Sequence, residues 1–258
     1  MESIGAATRK LITSLQQAKH RRREGLFVLE GTRAVLDTVP FFEVAYIVAT
    51  AQWLDAHGGD LPHGLPPLLL AKGEDMSRMS SQSTSQGVLA VCREREVSGD
   101  FVPQEGELLL ALDRVQDPGN LGTIMRVADW FGVTRILASE DTVDVYNPKV
   151  IQASMGAIAR VEVRYCDLVE TLRGLVRDMP VYGTFLDGDN IYGTPLSESG
   201  VIVMGNEGNG ISPAVEAVVS RRIKIPTYPS DRDAVESLNV SMAAGIVLSE
   251  FRRRSFDF

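Results

Sequence analysis

From residue 108 onward the chain repeats one pattern: a short strand-like run, a stretch with helical spacing, then another strand-like run. Residues 108–112 read Leu-Leu-Leu-Ala-Leu with no polar alternation, as expected of a strand covered on both faces. Further strands are predicted at 135–138, 161–165, 181–185, 201–204 and 222–225, with helices predicted between most of them, including one over 120–131, and a last helix over 239–252. Strands that alternate with helices imply a parallel sheet between helical layers, because parallel neighbours need a crossover long enough to hold a helix. The expected class is therefore α/β.

The first hundred residues follow a different plan. Leu11, Ile12, Leu15 and Ala18 fall at helical spacing and predict one amphipathic helix ending near Gly25. Short strands are predicted at 26–29, 44–48, 67–70 and 88–91, with helical segments around 32–38 and 52–56. This is a small alternating α/β module. Residues 94–106 are charged, carry Pro103 and Gly106, and lack apolar periodicity, which marks a linker. The expected organisation is a first domain over 1–95, a linker over 96–106 and a second domain over 107–258, a fair division for 258 residues.

Charge is unevenly placed. The net charge is −8, but residues 1–33 hold seven basic residues (Arg9, Lys10, Lys19, Arg21, Arg22, Arg23 and Arg33) against three acidic ones. A basic N-terminal module on an acidic protein suits phosphate contact, since Lys and Arg displace counterions from a polyanion; a solvated helix face is the plain alternative. The three histidines, His20, His57 and His63, lie in the first quarter of the chain, which argues against imidazole-dependent hydrolysis in the second domain. Cys92 and Cys166 show no metal-ligand spacing, so neither a zinc site nor a disulfide framework is expected. No stretch approaches the ~18 apolar residues of a membrane span. Arg9 and Lys10 stand where a secretory signal would carry its apolar segment, so a cytoplasmic protein is expected.

In open parallel sheets ligands bind beyond the carboxyl ends of the strands, and three segments there carry polar residues. The first runs from Asp113 through Pro118-Gly119-Asn120-Leu121-Gly122 to Arg126. Asn120 is suited to cap the following helix, and Arg126, six positions on, is expected on a similar side. The second is Gly205-Asn206-Glu207-Gly208-Asn209-Gly210-Ile211-Ser212, where glycines permit close backbone approach. Its spacing is not that of a dinucleotide or P-loop motif, and Glu207 would repel a pyrophosphate, so a cationic or hydroxyl-bearing ligand is expected. The third is Ile225-Pro226, a polar loop, then Ser237-Leu238-Asn239-Val240-Ser241 with Ala243, Ala244 and Gly245. Ser237 or Asn239 would serve as a helix cap and the small residues would serve close helix packing.

Taken together, the Asn120-Leu121-Gly122 segment with Arg126, the Gly205–Ile211 loop, and Ile225-Pro226 with Ser237–Ser241 resemble, in order and spacing, the three signature motifs of the SpoU/TrmH RNA 2'-O-methyltransferases. The likeness covers about residues 106–252. The N-terminal segment, with Lys19, Arg21, Glu24, Phe27, Glu30, Gly31 and Gln86–Val91, resembles the L30e-like substrate-binding domain that often precedes such a domain. The resemblance implies a C-terminal domain tied in a deep trefoil knot, one of the rare exceptions to unknotted connections, and S-adenosylmethionine as cofactor. By matching positions it assigns Thr184, Gly205, Ile225 and Leu238 to the cofactor, and Arg126, Asn120, Glu207, Ser237 and Asn239 to catalysis. RNA contact falls to Lys10, Lys19, Arg21, Arg22, Arg23 and Arg33. It further implies a homodimer through the knotted domain, a structured RNA substrate with ribosomal RNA favoured over transfer RNA, and no metal. The alternatives are a catalytically silent RNA-binding or ribosome-assembly protein of the same fold and, from the α/β class alone, an NAD-dependent dehydrogenase, whose fingerprint loop is missing.

Overall fold

The computed structural model describes residues 2–66, 68–97, 101–229 and 237–253. In chain order the elements are β1 (Glu2–Ser3), α1 (Ala6–Ser14), α2 (Ala18–Glu24), β2 (Leu26–Glu30), α3 (Thr32–Thr38), β3 (Val44–Ala49), α4 (Ala51–His57), β4 (Leu68–Leu70), α5 (Gly73–Met79) and β5 (Val88–Arg93). There follow β6 (Leu108–Leu112), α6 (Pro118–Trp130), β7 (Arg135–Ser139), α7 (Pro148–Ser154), β8 (Glu162–Cys166), α8 (Leu168–Leu175), β9 (Val181–Asn190), β10 (Gly200–Met204), α9 (Pro213–Glu216), β11 (Arg221–Lys224) and α10 (Val240–Arg253). Pro67 of the expected strand 67–70, residues 98–100 of the expected linker, and part of the polar loop before Ser237 lie outside the described residues.

The chain divides into two compact units, one of Met1–Glu96 with Asp144–Ala159, the other of Val97–Val143 with Arg160–Phe258. The first contains a five-stranded mixed sheet in the order β1-β4-β3-β5-β2, with β5 antiparallel to both β2 and β3. Ile12, Leu15, Leu26, Val48, Met76 and Leu89 are among the side chains of its core. The single N-terminal helix expected from periodicity is two helices, α1 and α2. The break leaves the carbonyls of Leu15 and Gln16 without helical partners, and Arg21 Nη1 donates to both at 2.9 and 3.0 Å. The Arg21 guanidinium also pairs with Asp144, Nε donating to Oδ2 at 3.0 Å.

The segment Asp144–Ala159, expected in the second domain, therefore groups with the first. Asp144 meets Arg21, Tyr146 lies against Phe27 with ring centroids 4.5 Å apart, and Arg95 donates to the Ala159 carbonyl at 2.5 Å. These ties join residues far apart in the chain, which no local pattern foretells.

The second unit holds a six-stranded sheet in the order β11-β9-β10-β6-β7-β8, parallel at every pairing. Leu109, Ala111, Leu137, Leu172, Val201 and Val203 contribute to its core, each large buried side chain adding roughly 1.5–3 kcal/mol of transfer free energy. Helix α10 packs on α6. An ideal Cβ on Gly245 would stand 3.8 Å from Val127, and Arg252 Nε donates to the Phe131 carbonyl at 2.9 Å, just past the end of α6. Strand β9 outruns its expected span of 181–185 because, past a register shift between Arg222 and Ile223, Asp189 and Asn190 continue to pair with β11.

Strands β6, β7 and β8 lead to one edge, and the chain then returns to lay β9 and β10 on the other side of β6. The order reverses between β6 and β10, and beyond the carboxyl ends of two such strands a crevice opens. Among the described residues no helix is long and apolar enough to cross a membrane, and no group of three or more His, Cys, Asp or Glu side chains is placed to hold a metal.

Candidate active site

Strand β6 delivers Asp113 and Arg114 to this crevice, and β10 delivers Gly205. Arg114 turns the chain with φ 59°, in the left-handed region. Asp117, not Asn120, caps α6: its Oδ1 accepts Asn120 N–H at 2.9 Å. The Asn120 side chain is thereby left for longer-range contacts. Its Nδ2 donates to Glu207 Oε1 at 2.9 Å, and its Oδ1 accepts Asn239 Nδ2 at 2.9 Å. Glu207 also accepts from the backbone N–H of Asp117 at 3.2 Å and of Gln116 at 3.4 Å. Three segments far apart in sequence thus meet through one hydrogen-bonded line, Glu207 to Asn120 to Asn239.

Asn239 holds the other end while capping α10, its Oδ1 accepting Ser241 N–H at 3.0 Å and Ser241 Oγ at 2.6 Å. One amide thus serves both ends: its oxygen caps α10 and its nitrogen reaches Asn120. Among the described residues Ser237 makes no such cap, and it lies exposed in the lining of the cavity described below.

The glycine-rich loop closes on itself. Asn206 and Gly210 exchange backbone bonds at 3.0 and 2.9 Å, and Gly205 approaches Gly210 and Ile211 so closely that no Cβ would fit. Asn206, unremarked in the sequence, secures the turn: Nδ2 donates to the Arg114 carbonyl at 2.7 Å and Oδ1 accepts Gly208 and Asn209 N–H, each at 3.0 Å. Its only sequence signal is an amide residue directly after a strand and before a chain reversal.

A cavity of about 470 Å³ lies against this loop, within the ~300–1,000 Å³ typical of small-molecule sites. Thr184, Gly205, Ile225 and Leu238 all line it, with Glu207 and Ser237. The Thr184 hydroxyl donates to the Val203 carbonyl at 3.0 Å, so this residue presents mainly its methyl group and backbone. Apolar walls come from Ile191, Ile211, Ile223 and Val247.

Asp187, Glu216 and Lys224 also line the cavity, and the sequence reading missed them. Arg222 lies 3.7 Å over the Phe185 ring and pairs with both Asp187 and Glu216. Its hydrogen bond holds the Asp187 carboxyl below the usual carboxylate range. With Asp187 and Glu216 both paired to Arg222, Glu207 is the lining carboxylate left outside that pairing, and with Lys224 opposite it the lining offers groups of both signs.

Arg126 stands apart from the polar line. At about 100° per residue, positions 120 and 126 lie about 240° apart around a helix. They do not share a face: Asn120 turns toward Glu207, whereas Arg126 is exposed and takes no hydrogen bond or ion pair among the described residues. One turn further on, Trp130 is 85 % exposed.

Of the basic residues assigned to RNA contact, Lys10, Lys19, Arg22, Arg23 and Arg33 are exposed in the first unit. Arg23 pairs with Glu24 at 2.7 Å and Arg33 with Asp37 at 3.2 Å. Arg21 is the correction: at 1 % exposure, and engaged by Asp144 and two carbonyls, its guanidinium cannot reach a phosphate.

Residues 107–249 match the SpoU rRNA methylase family, and residues 8–90 match the MRM3-like substrate binding domain. A Porphyromonas gingivalis structure assigned to the TrmH family of RNA methyltransferases is 41 % identical, with a TM-score of 0.87 over 97 % of this chain and 99 % of that one. The AdoMet-bound rRNA methyltransferase of Sinorhizobium meliloti is 28 % identical, with a TM-score of 0.84 over 100 % and 98 % of the two chains. Among curated proteins, the 23S rRNA (guanosine(2553)-2'-O)-methyltransferase of Bacillus subtilis is 29 % identical over 92 % of this chain and 93 % of its own. A 23S rRNA (guanosine-2'-O-)-methyltransferase of Xanthomonas campestris is 33 % identical over 71 % and 79 %.

Proposed function

We propose a reaction for this chain, which belongs to the SpoU rRNA methylase family: the methylation of a ribose 2'-hydroxyl of ribosomal RNA with S-adenosylmethionine as donor. The observation that carries the reading is the convergence of the three polar segments, through Glu207, Asn120 and Asn239, beside a cavity of fitting size and charge. The names of the Bacillus and Xanthomonas relatives support ribosomal RNA over transfer RNA, and the match of residues 8–90 supports a separate substrate-binding unit. The knotted path implied by the family belongs to the same proposal, as does a cytoplasmic location.

The cavity fits the cofactor on its donor set. Backbone of the 205–211 loop and of Ile225 and Leu238 would hold the adenosyl portion, while Glu207, whose carboxylate is not among those paired with Arg222, favours the positive charge of the sulfonium. When bound, S-adenosylmethionine supplies an electrophilic methyl group. The chain's own task is to place the ribose oxygen in line with it and to ease the proton from that oxygen. Alignment alone supplies much of such a rate, since aligned groups reach effective molarities of about 10⁵–10⁸ M.

Arg126 is assigned the proton's departure without acting as a base, because a guanidinium keeps its proton at any ordinary pH. Its charge lowers the pKa of the 2'-hydroxyl and holds a substrate phosphate that takes the proton. Glu207, Asn120 and Asn239 position the target nucleotide, and Ser237 contacts it from the rim of the cavity. Trp130 and Met242, exposed on the paired helices α6 and α10, support a homodimer through this unit.

Tritium transfer from labelled S-adenosylmethionine to total RNA of a strain lacking the gene tests the reading. Label at one alkali-resistant site of a ribosomal RNA is expected. Cofactor binding by the intact protein with no label on any RNA would favour the silent RNA-binding reading instead.

A further inference from the structure

Asp113 follows β6 directly and is 3 % exposed, yet its carboxylate is not engaged by the sheet that buries it. Oδ2 accepts the backbone N–H of Ser212 at 2.6 Å, at the point where the glycine-rich loop ends and α9 begins. Oδ1 lies 3.4 Å from Arg114 Nε, a buried nitrogen with no hydrogen-bond partner. The next carbonyl, that of Arg114, takes Asn206 Nδ2 at 2.7 Å, at the point where the same loop begins. Two consecutive residues therefore grip both ends of the loop, one by a side chain and one by a carbonyl.

The Arg114 backbone is shaped for that grip. Its φ of 59° is a left-handed conformation that a non-glycine residue adopts only at a cost. In return its N–H reaches Ser139 Oγ at 2.8 Å while its carbonyl faces Asn206. Glu207 and Ile211 between the two anchors, and Gly205 just before the first, line the cavity, and the Asn206–Gly210 bridge ties the loop to itself. A displaced anchor would swing the whole cavity wall.

We propose that Asp113 is a positioning residue for cofactor binding: by holding Ser212 N–H it sets the aim of the Gly205–Ile211 loop, and so the affinity for S-adenosylmethionine, without touching the ligand. The inference rests on the reading of the cavity as the S-adenosylmethionine site. A charge-assisted hydrogen bond to a buried backbone donor is among the stronger single contacts in a protein, and its loss leaves that donor unpaired.

The test is calorimetric titration of S-adenosylmethionine into the full-length protein, with steady-state transfer to ribosomal RNA alongside. Asp113→Ala is expected to raise the cofactor Kd and KM at least about tenfold, with kcat at saturating cofactor within about threefold of wild type. Asp113→Asn, which keeps an acceptor for Ser212, is expected to recover most of the affinity. Ser212→Pro removes the donor from the other side at φ −66°, within proline's range, and sets its ring Cδ against the Asp113 carboxylate, so it is expected to weaken binding at least as much. The double variant Asp113→Ala/Ser212→Pro should be no worse than either single one, because both break the same bond. Unchanged Kd in Asp113→Ala, a fall confined to kcat, or additive losses in the double variant would each overturn the proposal. Wild-type protein that binds no S-adenosylmethionine would instead sink the functional reading beneath it.

Discussion

Two arginines, each on a helix and each a candidate for function from the sequence, have opposite fates. Arg21, in α2 of the first unit, is buried and fully engaged by Asp144 and two carbonyls, whereas Arg126, in α6 of the second, is exposed with no partner among the described residues. The difference lies in what surrounds each one. Arg21 sits where a helix break exposes carbonyls that need donors, and a buried cation without such partners would be costly. Arg126 sits on the exposed side of α6 with no partner among the described residues, which suits the role proposed for it. An Arg run identifies charge; the neighbouring backbone decides whether that charge stabilises or acts.

The comparison can be broken at either arginine. The largest expected effect is that of Arg126→Ala, which should cut methyl transfer by about 10²–10⁴-fold while leaving the melting midpoint and cofactor Kd unchanged; a fall in thermal stability would show that Arg126 is structural after all. Next, Arg21→Met should destabilise the fold by about 3 kcal/mol, the scale for stranding one partner of a buried ion pair, measured by urea unfolding. Adding Asp144→Leu should recover part of that loss, and no recovery would mean that the carbonyl contacts of Arg21, not its ion pair, matter most.

Smaller effects sharpen the contrast within the basic surface. Replacing exposed Lys19 or Arg22 with Ala should weaken RNA binding modestly and lower the slope of log affinity against log salt by about one for each phosphate that the side chain neutralises. A variant with an unaltered slope does not touch the backbone. The smallest expected change concerns Glu94, whose carboxyl is raised above the ordinary value by burial first and by the charge of Asp144 next, against the opposing pull of Arg21 and Arg22. Between the unfolded value and this raised one the native state holds more protons than the unfolded state, so stability falls as pH rises through that window. Glu94→Gln should therefore make the protein more stable at neutral pH and flatten its dependence on pH there, as followed by thermal melts across the acidic range.

Much of the second unit was legible because a buried parallel strand writes itself as an uninterrupted apolar run, and β6 matches its expected span of 108–112 at both ends. The cavity residues were reached by resemblance, and Thr184, Gly205, Ile225 and Leu238 do surround one space. What escaped notice was long-range or angular. The break between α1 and α2 carries no proline or glycine and is met by Arg21 from within the next helix. Arg126 was expected beside Asn120 from their spacing along the axis, although six residues turn a helix by well over half a circle. Asp187 and Glu216 owe their place to Arg222, and no periodicity announces a pairing between β9, α9 and β11.

The grouping of Asp144–Ala159 with the first unit also bears on how the protein comes into being. A ribosome releases the chain from its N-terminus, and domains commonly fold as they emerge. Here the first unit cannot close its packing when residue 96 appears, because Asp144, Tyr146 and the Ala159 carbonyl, which complete its contacts with Arg21, Phe27 and Arg95, are still to be made. Those contacts become available only after β6, α6 and β7 have been made, and a gene cut at the linker would yield a fragment lacking part of its own interior.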